Sequence, residues 1–430
     1  MLSWNRYPAS TACRVHDLTS RAGPLPRLQS ASDSLLPRGN GRSYGDVCLN
    51  EGGTLLRTRS LDRFITFDRS SGRLACESGV LLKDILDLVV PQGWFLPVTP
   101  GTRQVSIGGA IANDVHGKNH HVAGSFGHHV IGFELLRSDG ERKLCYAGDE
   151  WFRASVGGMG LTGVITWAEI QLMPIANPFM LSEAQRFANI ESFWALNEDA
   201  EARWPYTVAW IDCLAGGATR GRGLLMTGQH APANWPLPLW HERGWRFPFD
   251  PPFSLVNSLS LHLFNTGYYH RPLHKGTRLI HHAPYFYPLD SIQDWNRLYG
   301  RRGFFQYQCV LPPASARAGI SELLQRISAS GMGSFLAVLK TFGPLPAAGL
   351  LSFPRAGATL ALDFPNRGER SARLFNELDA VVREAGGALY PAKDARMSGS
   401  MFRLSFPEWE RFCAYIDPCF SSGFWRRVSE

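Results

Sequence analysis

Two glycine-rich stretches constrain this chain more than any other feature. The first, GNGRSYGD (39–46), places Gly39, Gly41 and Gly45 within one short loop. The second, PGTRQVSIGGAIANDVHGKNHH (100–121), carries Gly101, Gly108, Gly109 and Gly117 and ends in a knot of histidines. Glycine tolerates positive φ and lets backbone approach a ligand closely, and successive N–H groups in such turns form an anion-binding nest. A lone G-x-G would be read as a tight surface turn. Two such loops read as a clamp closing on a diphosphate from two sides. Neither is a familiar nucleotide motif: there is no G-x-x-x-x-G-K-[ST], and the first loop opens no helix and has no acidic residue at the ribose-reading distance.

The 430 residues suggest two or three domains. Hydrophobic residues make up 44% and charged residues 19%, ordinary for a chain with a real core. A net charge of +7 favours an anionic ligand or surface, but no Lys/Arg run reads as a nucleic-acid arm, so no nucleic-acid partner is expected. Eight cysteines are scattered without a C-x-x-C pair, which points to reduced, buried thiols in a cytoplasmic protein. No secretory signal and no apolar run of about 20 residues is evident, so the chain is expected to be soluble, or at most peripheral on a membrane.

Along the chain, LACESGV (74–80) reads as a strand. LLKDILDLVV (81–90) reads as a helix ended by Pro91 and Gly93, and 129–147 as a hairpin turning at SDGE. A third glycine segment, 157–175, runs into a strand. Beyond about residue 177 the character changes: strand-like runs at 206–214, 222–231, 303–312, 333–344 and 358–365, then an amphipathic helix over 372–387 with a glycine stop. Residues 234–290 are rich in Trp, Pro, His, Phe and Tyr, with no long amphipathic helix evident. They form a candidate flexible lid, or a loop whose aromatics complete the core.

GNGRSYGD, PVTPGTRQVSIGGAIANDVHGKNHHVAGSFGHHV and VGGMGLTGVI together resemble the FAD-binding domain of the vanillyl-alcohol-oxidase (PCMH-type) flavoproteins. Within these they resemble the polyprenyl-phosphoryl-ribose oxidases, a likeness continued by YTVAWID, WNRLYG, GFFQYQ, LKTFGP, LSFP and LYPAKDARM. The resemblance implies an α+β, two-domain fold: an FAD domain of residues 1–177 and 388–430, and an antiparallel-sheet substrate domain of 178–387. It implies that Gly39, Gly41, Arg42, Ser43, Tyr44, Gly45, Gly101, Thr102, Ser106, Gly108, Gly109, Asn113, His116, Gly117, Ile165 and Tyr390 hold FAD. Some relatives attach FAD through a histidine in the first loop; Ser43 and Tyr44 stand here, so FAD is expected to be non-covalent.

The reaction so implied is oxidation of the 2-hydroxyl of a polyprenyl-phosphoryl-β-D-ribose to a 2-keto sugar, which a separate NAD(P)H-dependent short-chain reductase would convert to the arabinose form. Lys393 is the first candidate for the catalytic group, since a desolvated lysine can take a proton or steady charge developing on oxygen. Lys340 is the second, as a hydrogen-bonding or phosphate-reading group, with His116, Tyr44, Gln306 and Gln308 lining the pocket. Ala361 stands where mycobacterial members carry a cysteine; hydride transfer needs no thiol. The cluster His116, His120, His121, His128 and His129 tempts a metal reading. It lacks an H-E-x-x-H frame, so no metal is expected, and all but His116 are expected to bond loop backbone. The competing enzyme reading is an FAD-dependent alditol or aldonolactone oxidase acting on a soluble polyol. A third is a redox-silent binding protein. The aromatic 234–290 region would meet the lipid tail and an acidic membrane surface.

Overall fold

The structure, a computed structural model, describes residues 2–10, 13–28, 30 and 33–430. Three sheets organise it. A small parallel sheet orders Arg14–Asp17, Thr54–Arg57 and Leu35–Arg38, with Thr54 opposite both Arg14 and Leu35. A five-stranded antiparallel sheet runs Phe64–Asp68, Arg73–Glu77, Val164–Gln171, Val130–Leu136, Arg142–Tyr146. The largest has eight antiparallel strands in the order Arg278–His281, Phe179–Phe187, Gly223–His230, Tyr206–Ile211, Ala337–Phe342, Gly357–Pro365, Phe304–Leu311, Ala388–Leu389. The chain leaves this sheet at Tyr390, next to the glycine loops.

The strands, the hairpin and the two helices expected from periodicity are present. Leu82–Val89 turns Leu82, Ile85, Leu86 and Val89 inward, and Gly93 closes the following turn with φ 79°. Glu369–Glu384 turns Leu374, Phe375, Leu378 and Val382 inward and stops before Gly386. With Pro313–Ser330 it covers one face of the large sheet, against Cys309, Leu311, Leu339, Leu360, Leu362 and Phe364. Burying each large side chain there contributes about 1.5–3 kcal/mol.

Because side chains alternate along a strand, the same apolar rule that covers this face aims the intervening residues at the other. Those residues are Gln306 and Gln308, Val338 and Lys340, and Thr359, Ala361 and Asp363. The opposite face is therefore the floor of a cavity, polar at one end.

Two segments differ from the sequence expectation. Residues 107–112 of the second glycine stretch form a short helix, Ile107–Ala112, whose N-cap Ser106 Oγ accepts from Gly109 N at 3.3 Å. Within 234–290 a 13-residue helix, Ser258–His270, begins at Asn257, whose Oδ1 accepts from Leu259 N and Ser260 N. It points Leu261, Asn265 and Tyr269 inward and leaves Leu259 and Leu263 exposed. Its outer face mixes Leu259, Leu263 and Phe264 with Ser258, His262 and Thr266 and carries no Asp, Glu, Lys or Arg, which hides it from a search for an amphipathic pattern. No helix among the described residues is long and apolar enough to cross a membrane.

Candidate active site

The glycine loops, the five-stranded sheet and the floor of the large sheet enclose a cavity of about 1230 Å³. That exceeds the roughly 300–1,000 Å³ typical of a pocket for one drug-sized ligand, and leaves room for a large cofactor beside a substrate. The two glycine loops interlock at its wall. Asn40 Nδ2 donates to Gln104 O at 2.6 Å, and a Cβ on Gly39 would lie 2.1 Å from Ser106 Oγ, so only glycine lets the loops meet.

Of the residues expected to hold FAD, Gly39, Gly41, Arg42, Ser43, Tyr44, Gly101, Thr102, Ser106, Gly108, Gly109, Asn113, His116, Gly117, Ile165 and Tyr390 all line this cavity. Gly45 does not. Its φ is 62° and a Cβ would fall 1.7 Å from Asp394 O, so its place is the seam where the first loop packs against the strand exit. That seam is fixed by Tyr44 N donating to Ala392 O at 2.9 Å, which brings Tyr44 and Lys393 together.

The cavity wall carries polar atoms that the protein leaves unsatisfied: Ser78 Oγ, Asn113 Oδ1, His116 Nδ1 and Gln306 Oε1 are buried without partners. Buried polar groups are normally bonded, so such a set fits a polar ligand that completes it. The Arg42 guanidinium, 4.1 Å over the Trp4 ring, has no carboxylate within 4 Å among the described residues, and burial lowers its affinity for its proton. Glycine nests, unpartnered acceptors and donors, and a cation without a counter-ion together suit a dinucleotide with a diphosphate and a polar ring system.

At the polar end, the Tyr390 hydroxyl donates to Asn113 O at 2.8 Å and its ring stacks on Phe353. Gln308 Nε2 lies 3.0 Å from His116 Nε2 and donates to Thr359 Oγ1 at 3.3 Å. The amide N–H thus makes His116 Nε2 an acceptor and leaves the proton on Nδ1, which is buried without a partner in the protein. Burial, then Lys340, His120 and Lys393, hold His116 well below its ordinary pKa, so the ring is neutral. The Tyr44 phenol, also enclosed, is held well above its usual value and stays protonated.

Lys393 Nζ sits 4.1 Å over the Tyr44 ring. Desolvation lowers its pKa while Asp363 opposes that shift; the Asp363 carboxyl is pushed up by burial and drawn back by Lys393 and by Gln306, whose Nε2 donates to it at 2.7 Å. Each environment moves an acid and a base toward neutrality, the pattern that marks proton-transfer groups. Sequence reasoning missed Asp363; its only signal is the two-residue alternation with Thr359 and Ala361 in TLALDFP. It also missed Lys118, whose Nζ donates to Tyr285 O and lies 4.3 Å over the Tyr285 ring. Lys340 Nζ donates to Gly117 O at 3.2 Å.

The other histidines of the cluster meet backbone. His120 Nδ1 accepts from Gly343 N, His121 Nε2 lies 3.1 Å from Trp204 O, His128 Nε2 3.0 Å from Pro346 O, and His129 Nε2 2.9 Å from Ala123 O. Among the described residues no three His, Cys, Asp or Glu side chains are grouped to hold a metal.

Comparison with known proteins agrees with this geometry. Residues 28–146 match the FAD binding domain family. The chain is 36% identical to the decaprenylphosphoryl-beta-D-ribose oxidase of Mycolicibacterium smegmatis, over all of this chain and 97% of that protein. It is 33% identical to a Streptomyces coelicolor protein described only as an uncharacterized protein in the mprA 5' region, over 81% of this chain and all of that one. The likeness to glycolate oxidase subunit GlcD of Bacillus subtilis is 29% over 33% of this chain and 32% of that subunit.

Proposed function

The chain belongs to the family of decaprenylphosphoryl-β-D-ribose oxidases, FAD-dependent oxidoreductases, and from that premise we propose that it oxidises the 2-hydroxyl of a polyprenyl-phosphoryl-β-D-ribose to the 2-keto sugar. The observation that carries this reading is the Lys393–Asp363–Gln306 group on the polar end of the floor, beside the glycine-lined wall.

The bound FAD supplies the two-electron acceptor. The protein supplies the rest. Gln306, Gln308 and the neutral His116 Nδ1–H offer hydrogen bonds that orient sugar hydroxyls, and orientation alone offsets several kcal/mol of a barrier. Uncharged Lys393 takes the hydroxyl proton as the C–H bond breaks, and the Asp363 carboxylate stabilises the ammonium so formed. Tyr390 and Phe353 close the cavity from the side of the strand exit. FAD is held without a covalent bond, because Ser43 and Tyr44 occupy the first loop; flavin that stays with acid-precipitated protein would contradict this.

The 2-keto product then calls for a separate NAD(P)H-dependent reductase to complete epimerisation to the arabinose form. The lipid tail would leave past the Ser258–His270 helix, whose Phe264 and Tyr268 line the cavity, in a segment that exposes Leu239 (93% exposed), Phe253, Leu259 and Leu263 and carries Arg243, Arg246 and Lys275. Apolar side chains interleaved with cations suit an anionic bilayer surface and a peripheral attachment.

The test of function is aerobic incubation of the FAD-loaded protein with farnesyl-phosphoryl-β-D-ribose, followed by borohydride reduction and sugar analysis. Arabinose beside ribose supports the reading. Unchanged ribose, with turnover of xylitol or an aldonolactone instead, would replace it with the polyol-oxidase reading.

A further inference from the structure

Four lysines line the cavity; Lys83 pairs with Asp87, and the other three, Lys118, Lys340 and Lys393, have no carboxylate within 4 Å among the described residues. One of them, Lys393, is explained by proton transfer. The other two are not. Lys118 donates to Tyr285 O and lies over the Tyr285 and Phe286 rings, and Lys340 donates to Gly117 O and lies over the Phe342 ring, so each ammonium keeps N–H donors with no hydrogen-bond acceptor among the described residues. Their remaining accessible surface faces the cavity. Cations are rarely held away from bulk water unless something pairs with them.

From this placement we infer that Lys118 and Lys340 form the subsite for the phosphodiester of the lipid-linked substrate, set between the reacting sugar and the tail. The inference rests on the proposed reading of the substrate. Order along the floor supports it. Lys340 shares its strand face with Val338, and its partner across the ladder is Thr359, next to Gln308. Lys118 O accepts from Thr207 N at 2.9 Å, which pins the lysine over the start of Tyr206–Ile211. Across the sheet, the strands on one side of the Lys340 strand carry Gln308 and Asp363, and the strands on the other side carry Trp210 and Met226. Sugar, anion and hydrocarbon are thus met in the sequence in which a polyprenyl-phosphoryl sugar presents them.

Burial and like charge make the two ammonium groups costly to hold. Desolvation, and then Lys340, lowers Lys118 to about 7; desolvation, and then Lys393, lowers Lys340 to about 8. Lys118 faces Lys340 and the Tyr285 phenol; Lys340 also faces His116, His120 and Lys393. An arriving anion reverses this by favouring the charged forms, so binding near pH 7.5 takes up protons.

The test uses the FAD-loaded protein and farnesyl phosphate, which carries the anion and tail but no oxidisable sugar. Calorimetry at pH 7.5 in two buffers of different ionisation enthalpy reads affinity and proton uptake together. Expected are proton uptake in the wild type, at least a tenfold loss of affinity in Lys118→Met and Lys340→Met, and an unchanged affinity for farnesol. Lys118→Arg is expected to keep affinity while losing most of the uptake, because arginine is already charged and only the smaller share from Lys340 remains. Affinities within twofold of wild type in both Met variants, with flavin retained, would overturn the inference. Inorganic phosphate binding as tightly as farnesyl phosphate would also overturn it, by assigning a free-phosphate site. If the lysines prove necessary for farnesyl phosphate while no ribose substrate is oxidised, the anion subsite stands and the oxidase reading falls.

Discussion

Arg427 and Lys340 are both cations drawn in from bulk water, and they are treated in opposite ways. Arg427 Nη2 lies 2.6 Å from Asp46 and 3.0 Å from Asp394, its Nε 3.1 Å from Asp46, and its pKa is raised. This cluster ties the C-terminal helix Gly423–Ser429 to the first glycine loop and to the strand exit that carries Lys393. Lys340 has a single backbone carbonyl and neighbours of its own sign. The compensated charge is architecture; the uncompensated charge is held in readiness for a ligand. The difference separates groups that stabilise the fold from groups that the fold tolerates.

The largest expected effect is on chemistry. Lys393→Ala should lower the limiting rate of flavin reduction about 10²–10³-fold while FAD stays bound, the scale seen when one group that stabilises transition-state charge is removed. Near-normal reduction in stopped flow would remove Lys393 from the mechanism. On the compensated side, Arg427→Ala leaves two buried carboxylates and should cost about 3–5 kcal/mol in urea unfolding. A cost under about 1 kcal/mol would erase the contrast.

Lys340→Met should do the reverse and stabilise the substrate-free protein by about 3 kcal/mol at pH 7, the scale set by its fall from 10.5 to about 8. The sign follows from linkage. Below pH 8 both folded and unfolded chains carry the proton, and the folded chain bears the desolvation cost in full. Between pH 8 and 10.5 only the unfolded chain keeps it, so wild-type stability rises and the variant's advantage shrinks. Equal stability of the two at pH 7 would show that the charge is already compensated.

Smaller effects sharpen the picture. Asp363→Asn removes the group that raises Lys393, so the ascending limb of kcat/KM should move to lower pH; an unmoved limb would assign the base elsewhere. Gly39→Ala presses a methyl on Ser106 Oγ and should cost about 1–3 kcal/mol, with weakened FAD retention on dialysis.

Much of this was legible in the sequence for local reasons. The glycine loops announce themselves because close backbone approach demands one residue type, and the floor strands announce themselves because a buried face enforces alternation. What was hidden depends on register or on contacts distant in the chain. Asp363 sits in an apolar strand, and its meaning comes from lying opposite Gln306 in the ladder. Lys118 reads as one more polar residue in a loop until Tyr285 and Lys340 are brought beside it. Gly45 sits in the right loop but serves Asp394 rather than the cavity. The Ser258–His270 helix was missed because the usual sign, a charged outer face, is absent.

The central claim is that this cavity reads a sugar and an anion in one ligand. It is tested most directly by anaerobic absorbance titration of the FAD-loaded protein with farnesyl-phosphoryl-β-D-ribose and, in parallel, with farnesyl β-D-ribofuranoside, which lacks the phosphate. The account predicts that the first bleaches the flavin at concentrations at least tenfold below the second. Equal bleaching by both, or none by the phosphorylated sugar, would contradict it.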